Sequence, residues 1–385
     1  MLAAIRRFAA ALATLSAVPA MAAMPPTFPQ NLPTTQLNEE IVRVPAGPTL
    51  AVLLETTVYK PDGPGPFPLL VINHGKAAGD PKLQSRDRFV TMASAFVRRG
   101  YAVMVPMRTG FANSTGKYVE HGCNMTANGY TQANDVRDVI RYASRQGWID
   151  ARRIVVAGQS YGGLATMALA TQSVPGVRGV MNFAGGLKMV GGNCDWQEAL
   201  VRAFGEYGRR GKVASMWMYG ANDQYFPPAL AGRLHQAYTG AGGRAELVAF
   251  GPFKRDAHTM LASRDGEAVW LPEAARFLAR IGMPFDERYA LADPGIEAPS
   301  HYAALDDVSA LPYLAANGRA AYKDFLNRQT PRAFAVSPSG AWGWAEEGED
   351  PRRNALAACQ SKSAQPCQLY TVDDAVVWQG AGRTD

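Results

Sequence analysis

The chain has 385 residues, 47% of them apolar and 19% charged, with a formal net charge of +6. That balance excludes intrinsic disorder and suits one large α/β domain with a small second one. Its Lys and Arg residues are dispersed, with no block of consecutive basic residues, which argues against a nucleic-acid partner.

The first residues read as an export leader. Arg6 and Arg7 form a positive start, Phe8–Val18 an apolar run, and Pro19-Ala20-Met21-Ala22 a small-residue cleavage site with a cut expected after Ala22. The run is too short to span a bilayer, so no stable membrane insertion is expected after cleavage. No Cys sits at the cut for a lipid anchor, and Phe8 directly after the Arg pair fits general secretion better than twin-arginine export. Removing residues 1–22 takes away two arginines and no acid, which lowers the charge from +6 to +4. A secreted or periplasmic location follows as the expectation. Four cysteines, Cys123, Cys194, Cys359 and Cys367, suggest two disulfides in such a compartment. Proximity favours Cys359–Cys367, and hence Cys123–Cys194. No C-x-x-C pair exists, so no metal site is expected.

From Thr49 to Ile281, β-rich runs alternate with amphipathic helices, the pattern of a mainly parallel sheet covered on both faces. Strands are predicted at Leu50–Val58, Pro68–Asn73, Tyr101–Pro106, Ile154–Ala157, Gly176–Phe183, Ala214–Tyr219 and Glu246–Phe250. Helices are predicted at Asp87–Arg99, Tyr130–Gln146, Tyr161–Thr171, Trp196–Arg209, Pro228–Thr239 and Gly266–Ile281. The expected organisation is a domain at 23–285, a Pro- and Gly-containing linker at 286–300 and a small α+β module at 301–385. In the module, Leu305–Leu326 is broadly helical with expected interruptions at Pro312 and Gly318. Strands are predicted at Ala333–Val336, Ala341–Ala345, Leu369–Val372 and Ala375–Trp378, and a helix capped by Asp350 with Pro351 at its first position. Trp342 and Trp344 share a strand face, as core or as a binding platform.

Gly158-Gln159-Ser160-Tyr161-Gly162 is the central chemical signal. Attack on a carbonyl needs an exposed hydroxyl beside a base. A strand–turn–helix elbow supplies the exposure, and small residues two before and two after the Ser relieve its crowding. An apolar strand ends at Ala157, and a helix rich in Ala, Leu and Met follows Ser160, with Gly163 letting it pack closely. The acid and base should follow in chain order. Asp223, just past Ala214–Tyr219, and His258, past Glu246–Phe250, stand at carboxyl ends of predicted strands, where active-site loops of such sheets collect. Ser160, Asp223 and His258 are therefore the candidate catalytic residues. The oxyanion donors would be the amide of Tyr161 and that of Lys76 in Asn73-His74-Gly75-Lys76, with Gly75 the next choice and His74 a loop brace. The loop Met107–Asn128 is long enough to wall a pocket. In it, Arg108 would either clamp a substrate carboxylate or form a salt bridge, for instance to Asp135 or Asp138.

At Asn73-His74-Gly75, Pro106-Met107-Arg108-Thr109-Gly110, the Ser160 elbow, Tyr219-Gly220-Ala221-Asn222-Asp223 and Asp256-Ala257-His258, the chain resembles the dienelactone hydrolase-like branch of the α/β-hydrolases over roughly residues 40–282. Its Ser-Tyr-Gly-Gly run is also similar to the catalytic domain of prolyl oligopeptidases. The resemblance implies an α/β-hydrolase fold and hydrolysis, without a cofactor, of a small-molecule ester or of a peptide. Ser160 stands where dienelactone hydrolases carry Cys, and the chain is too short for the oligopeptidase propeller.

Overall fold

The computed structural model describes residues 32–189, 194–291, 298–328, 330–346 and 350–380. The expected leader and its cleavage site lie outside them. The N-terminal half comprises β1 (Thr34–Thr35), β2 (Glu40–Ala46), β3 (Val52–Tyr59), β4 (Phe67–Asn73), α1 (Val90–Arg98), β5 (Ala102–Pro106), α2 (Met125–Ala143), β6 (Ile149–Gln159), α3 (Tyr161–Leu169) and β7 (Val177–Phe183). There follow α4 (Trp196–Arg210), β8 (Ala214–Gly220), α5 (Pro228–Gly240), β9 (Ala245–Phe250), α6 (Glu267–Arg280) and β10 (Ala290–Leu291). The C-terminal part adds α7 (Ala316–Phe325), β11 (Arg332–Val336), β12 (Trp342–Glu346), α8 (Pro351–Gln360), β13 (Gln368–Val372) and β14 (Ala375–Val376).

Eight strands form the main sheet in the order β2-β3-β5-β4-β6-β7-β8-β9. Every pairing from β5 onward is parallel, while β3 runs antiparallel to both of its neighbours. Alternation along each strand splits the core. Leu69, Val71, Val156 and Val180 face α2 to α5, whereas Leu70, Ile72, Val155 and Met181 face Phe96 of α1 and Trp270 and Phe277 of α6. Both faces are thus covered, which explains the near-continuous apolar runs.

Four departures from the sequence expectation stand out. The edge strand β2 was not anticipated, because Glu40, Arg43 and Pro45 break its apolar pattern; Pro is tolerated there because the strand is an edge. Helix α2 starts at Met125, inside the expected loop, because the Asn124 side chain caps it by accepting from Ala127 N at 3.0 Å. Gly318 does not interrupt α7: a Cβ there would lie 2.9 Å from Trp342, so glycine permits close packing. The expected linker holds β10, which pairs with β1.

The C-terminal module is an antiparallel sheet in the order β12-β11-β13-β14, with α7 and α8. Its apolar clusters draw only on residues 305–378. Trp342 stacks on Phe334 within that core, while Trp344 lies under Arg328. The chain joins Cys123 to Cys194 and Cys359 to Cys367, the favoured pairings.

Candidate active site

Ser160 lies between the end of β6 and the start of α3 with φ +55° and ψ −122°, a region an L-residue enters only when its surroundings hold it there. Its amide donates to Phe183 O at 3.0 Å, and its carbonyl accepts from Gly186 N at 2.9 Å and Leu164 N at 3.1 Å. The flanking glycines meet a steric demand: a Cβ at Gly158 would overlap Gly162 O, and one at Gly162 would overlap Asn73 O. By helix geometry the first-turn amides of α3, Tyr161 N included, have no carbonyl within the helix to donate to.

Asp223 follows β8 and is buried. Its Oδ1 accepts from Tyr225 N and Phe226 N, both at 2.8 Å, which leaves Oδ2 facing His258 Nδ1 at 3.2 Å. A carboxylate accepts, so His258 Nδ1 is the donor of this contact. His258 sits on a short turn after β9, where Asp256 Oδ1 accepts its amide at 2.9 Å. Two contacts had not been foreseen. Gln159 Nε2 donates to the His258 carbonyl at 2.6 Å, and the Tyr225 ring lies 4.5 Å from the imidazole. Only Gln159, inside the pentapeptide, had a sequence signal.

The loop after β4 crosses the nucleophile, since a Cβ on Gly75 would stand 3.4 Å from Ser160 Cβ and 3.9 Å from its Oγ. His74, fully buried, accepts from Arg108 N at Nε2 (3.0 Å), so its Nδ1 carries the proton and donates to Gly75 O at 2.6 Å. Burial and the charge of Arg108 hold its pKa well below the usual histidine value, in keeping with this neutral tautomer. The Gly75–Lys76 peptide, whose amide is the expected second oxyanion donor, is thereby fixed from its carbonyl side.

Arg108 is buried, and no ion pair joins it to Asp135 or Asp138. Asp135 is taken up by Thr109 N and Oγ1, at 2.7 and 3.0 Å, and Asp138 by Gly47 N and Arg141. Arg108 Nε instead donates to Gln132 Oε1 at 2.7 Å, and its Nη2 approaches Gly75 O at 3.5 Å. Its guanidinium stands 5.5 Å from the Phe111 and Tyr161 rings, and Nη1 has no hydrogen-bond partner among the described residues. Burial pulls its pKa down to about 10, so it remains cationic at neutral pH. Nearby, burial pushes Asp87 up to about 7, against the opposing pull of the Gln84 hydrogen bond and of Arg108.

At the rim, Lys76 Nζ stands 5.8 Å from the Tyr118 ring and Lys188 Nζ 5.3 Å from the Tyr225 ring. The Cys123–Cys194 bridge ties the loop after β5 to the start of α4. Among the described residues, no group of three or more His, Cys, Asp or Glu could hold a metal, and no helix is long and apolar enough to cross a membrane.

This sheet order, with a strained serine between β6 and α3, defines an α/β-hydrolase fold. A family profile described as X-Pro dipeptidyl-peptidase (S15 family) matches residues 50–210. Cocaine esterase of Rhodococcus sp. is 28% identical over 129 residues, 34% of this chain; the chain spans about a fifth (21%) of that relative's length. Among solved structures, an esterase of Pyrococcus furiosus matches with a TM-score of 0.47 at 15% identity, covering 63% of this chain and 93% of that one. A puromycin-hydrolyzing peptidase of Mycobacterium tuberculosis matches with a TM-score of 0.47 at 19% identity, covering 66% of this chain and 41% of that one.

Proposed function

We propose that the chain is an exported serine hydrolase that cleaves a carboxylic ester of a small molecule through an acyl-enzyme on Ser160. One observation carries the reading: the serine is held in a strained elbow while Asp223 Oδ2 engages His258 Nδ1 at the carboxyl ends of β8 and β9. In this reading, Ser160 Oγ attacks the ester carbonyl and His258 Nε2 takes its proton. The amides of Tyr161 and Lys76 receive the developing oxyanion, and His258 returns the proton to the departing alcohol. Water, deprotonated by the same imidazole, then attacks the acyl-enzyme and releases the acid. Asp223 keeps the imidazole in its productive tautomer. Export rests on the leader pattern and fits the two disulfides.

A fluorophosphonate probe should label the protein at Ser160, and Ser160→Ala should lose both the label and ester turnover. Equal labelling of that variant would sink the proposal. Asp223→Asn, which presents a donor to Nδ1, should lower kcat by about 10³–10⁴-fold.

The profile match over residues 50–210 favours a second reading, a peptidase using the same residues. Faster turnover of X-Pro amides than of matched esters would select it.

A further inference from the structure

We propose that the C-terminal module positions the loop that carries His258, acting through Asp324 and Asp374; this rests on the reading of His258 as the base. The base loop, residues 253–266, contains only short turns, so it needs holding from outside. On one side the acid loop does this. Asn222 Oδ1 accepts from Phe253 N at 2.9 Å, and Gln224 donates to Asp256 Oδ1 and to Arg255 O, each at 3.1 Å.

On the other side stands the module. Arg255, three residues before His258, pairs with Asp324 of α7 at 2.7 Å. Arg264, six residues after it, reaches Asp374 at 3.9 Å. Asp374 is itself set by the buried Arg332, which donates to it at 2.7 Å and to the carbonyls of Phe325 and Arg328 at 2.8 Å each. One arginine therefore ties the end of α7, where Asp324 sits, to the turn that holds Asp374.

The attachment is polar. Among the described residues, the module's apolar clusters contain no residue of the hydrolase domain, and a cavity of about 360 Å³ lined by Lys254, Arg255, Leu305 and Asp374 lies between module and loop. The loop also contains strain to be held. Lys254 adopts φ +44° and spans the loop by its contacts to Asp265 at 2.6 Å and Ser263 at 3.0 Å. Two ionic contacts placed on either side of the base would thus set its depth toward Ser160.

The test compares the full chain with Asp324→Asn, Asp374→Asn and the double variant, measuring kcat, KM, melting temperature and amide exchange of residues 253–266. Each exposed pair is worth at most about a fivefold effect, so the double variant should lose roughly five- to twentyfold in kcat with KM nearly unchanged. Exchange should speed up in the base loop. About 1 M salt should slow the parent toward the variant and leave the variant little changed. The swap Arg255→Asp with Asp324→Arg should recover most of what Asp324→Arg alone loses. Unchanged kcat in the double variant overturns the proposal, as does a loss that the swap fails to recover. His258→Ala is the control: if it retains full activity, the reading of the base has failed, and the proposal falls with it.

Discussion

Gln159 Nε2 and the carbonyl oxygen of His258 are 2.6 Å apart, so the residue before the nucleophile holds the residue proposed as base. The bond couples elbow and base loop directly, without passing through Asp223. Gln159→Ala should leave the His258 carbonyl unpaired and the imidazole loosely aimed. We expect kcat to fall by about 10–100-fold, with KM within about twofold, because a hydrogen bond that sets alignment acts on the reacting geometry and not on ground-state binding. An unchanged kcat would make the contact merely structural.

Arg108 and His74 hold the Gly75 carbonyl from behind, and with it the peptide whose amide is proposed as an oxyanion donor. Arg108→Met removes both the Nη2 contact and a buried positive charge near the site. Its kcat should fall by about 10–100-fold, with Arg108→Lys intermediate. If substrates bearing a carboxylate lose KM selectively in either variant, Arg108 contacts substrate after all.

Burial pushes the Asp87 carboxyl up to about 7 in the folded protein, above its unfolded value. A group whose folded pKa is raised binds its proton more tightly when folded. Its favourable contribution is therefore complete below the unfolded pKa and is lost as pH rises through about 7. Asp87→Asn keeps an uncharged side chain there at every pH. Its melting temperature relative to the parent should rise between pH 4 and 8. A difference that stays flat with pH would refute the assignment.

The Cys123–Cys194 bridge closes a loop with a sequence separation of 71 and borders the expected pocket wall. Replacing both residues by Ser should cost about 2–4 kcal/mol of stability, read from denaturant midpoints under non-reducing conditions. Replacing Cys359 and Cys367, separated by 8 residues, should cost less if loop closure dominates.

The parallel order of the domain was legible because strands buried on both faces read as apolar runs, such as Ile154-Val155-Val156-Ala157, that alternate with amphipathic helices. The pairing of Asp223 with His258 was legible because both follow the carboxyl ends of neighbouring parallel strands, β8 and β9, which the sheet brings together. What escaped were features without a periodic signature. Edge strand β2 carries Glu40, Arg43 and Pro45, which only an edge accommodates. Helix α2 begins with a capping Asn124 inside a segment whose length suggested a loop.

By itself the sequence marked the elbow, through Gly158 and Gly162 on either side of Ser160; the demand at Gly158 comes from nearby Gly162, whereas that at Gly162 comes from Asn73 and His74 across the fold. It also determined the favoured pairing of cysteines by their spacing. Tertiary structure alone decided where Arg108 points, that Gln159 reaches His258, and that Asp324 and Asp374 meet the base loop. These depend on partners separated by up to 110 positions in the chain. Long side chains choose among donors and acceptors that only the folded arrangement brings within hydrogen-bond reach.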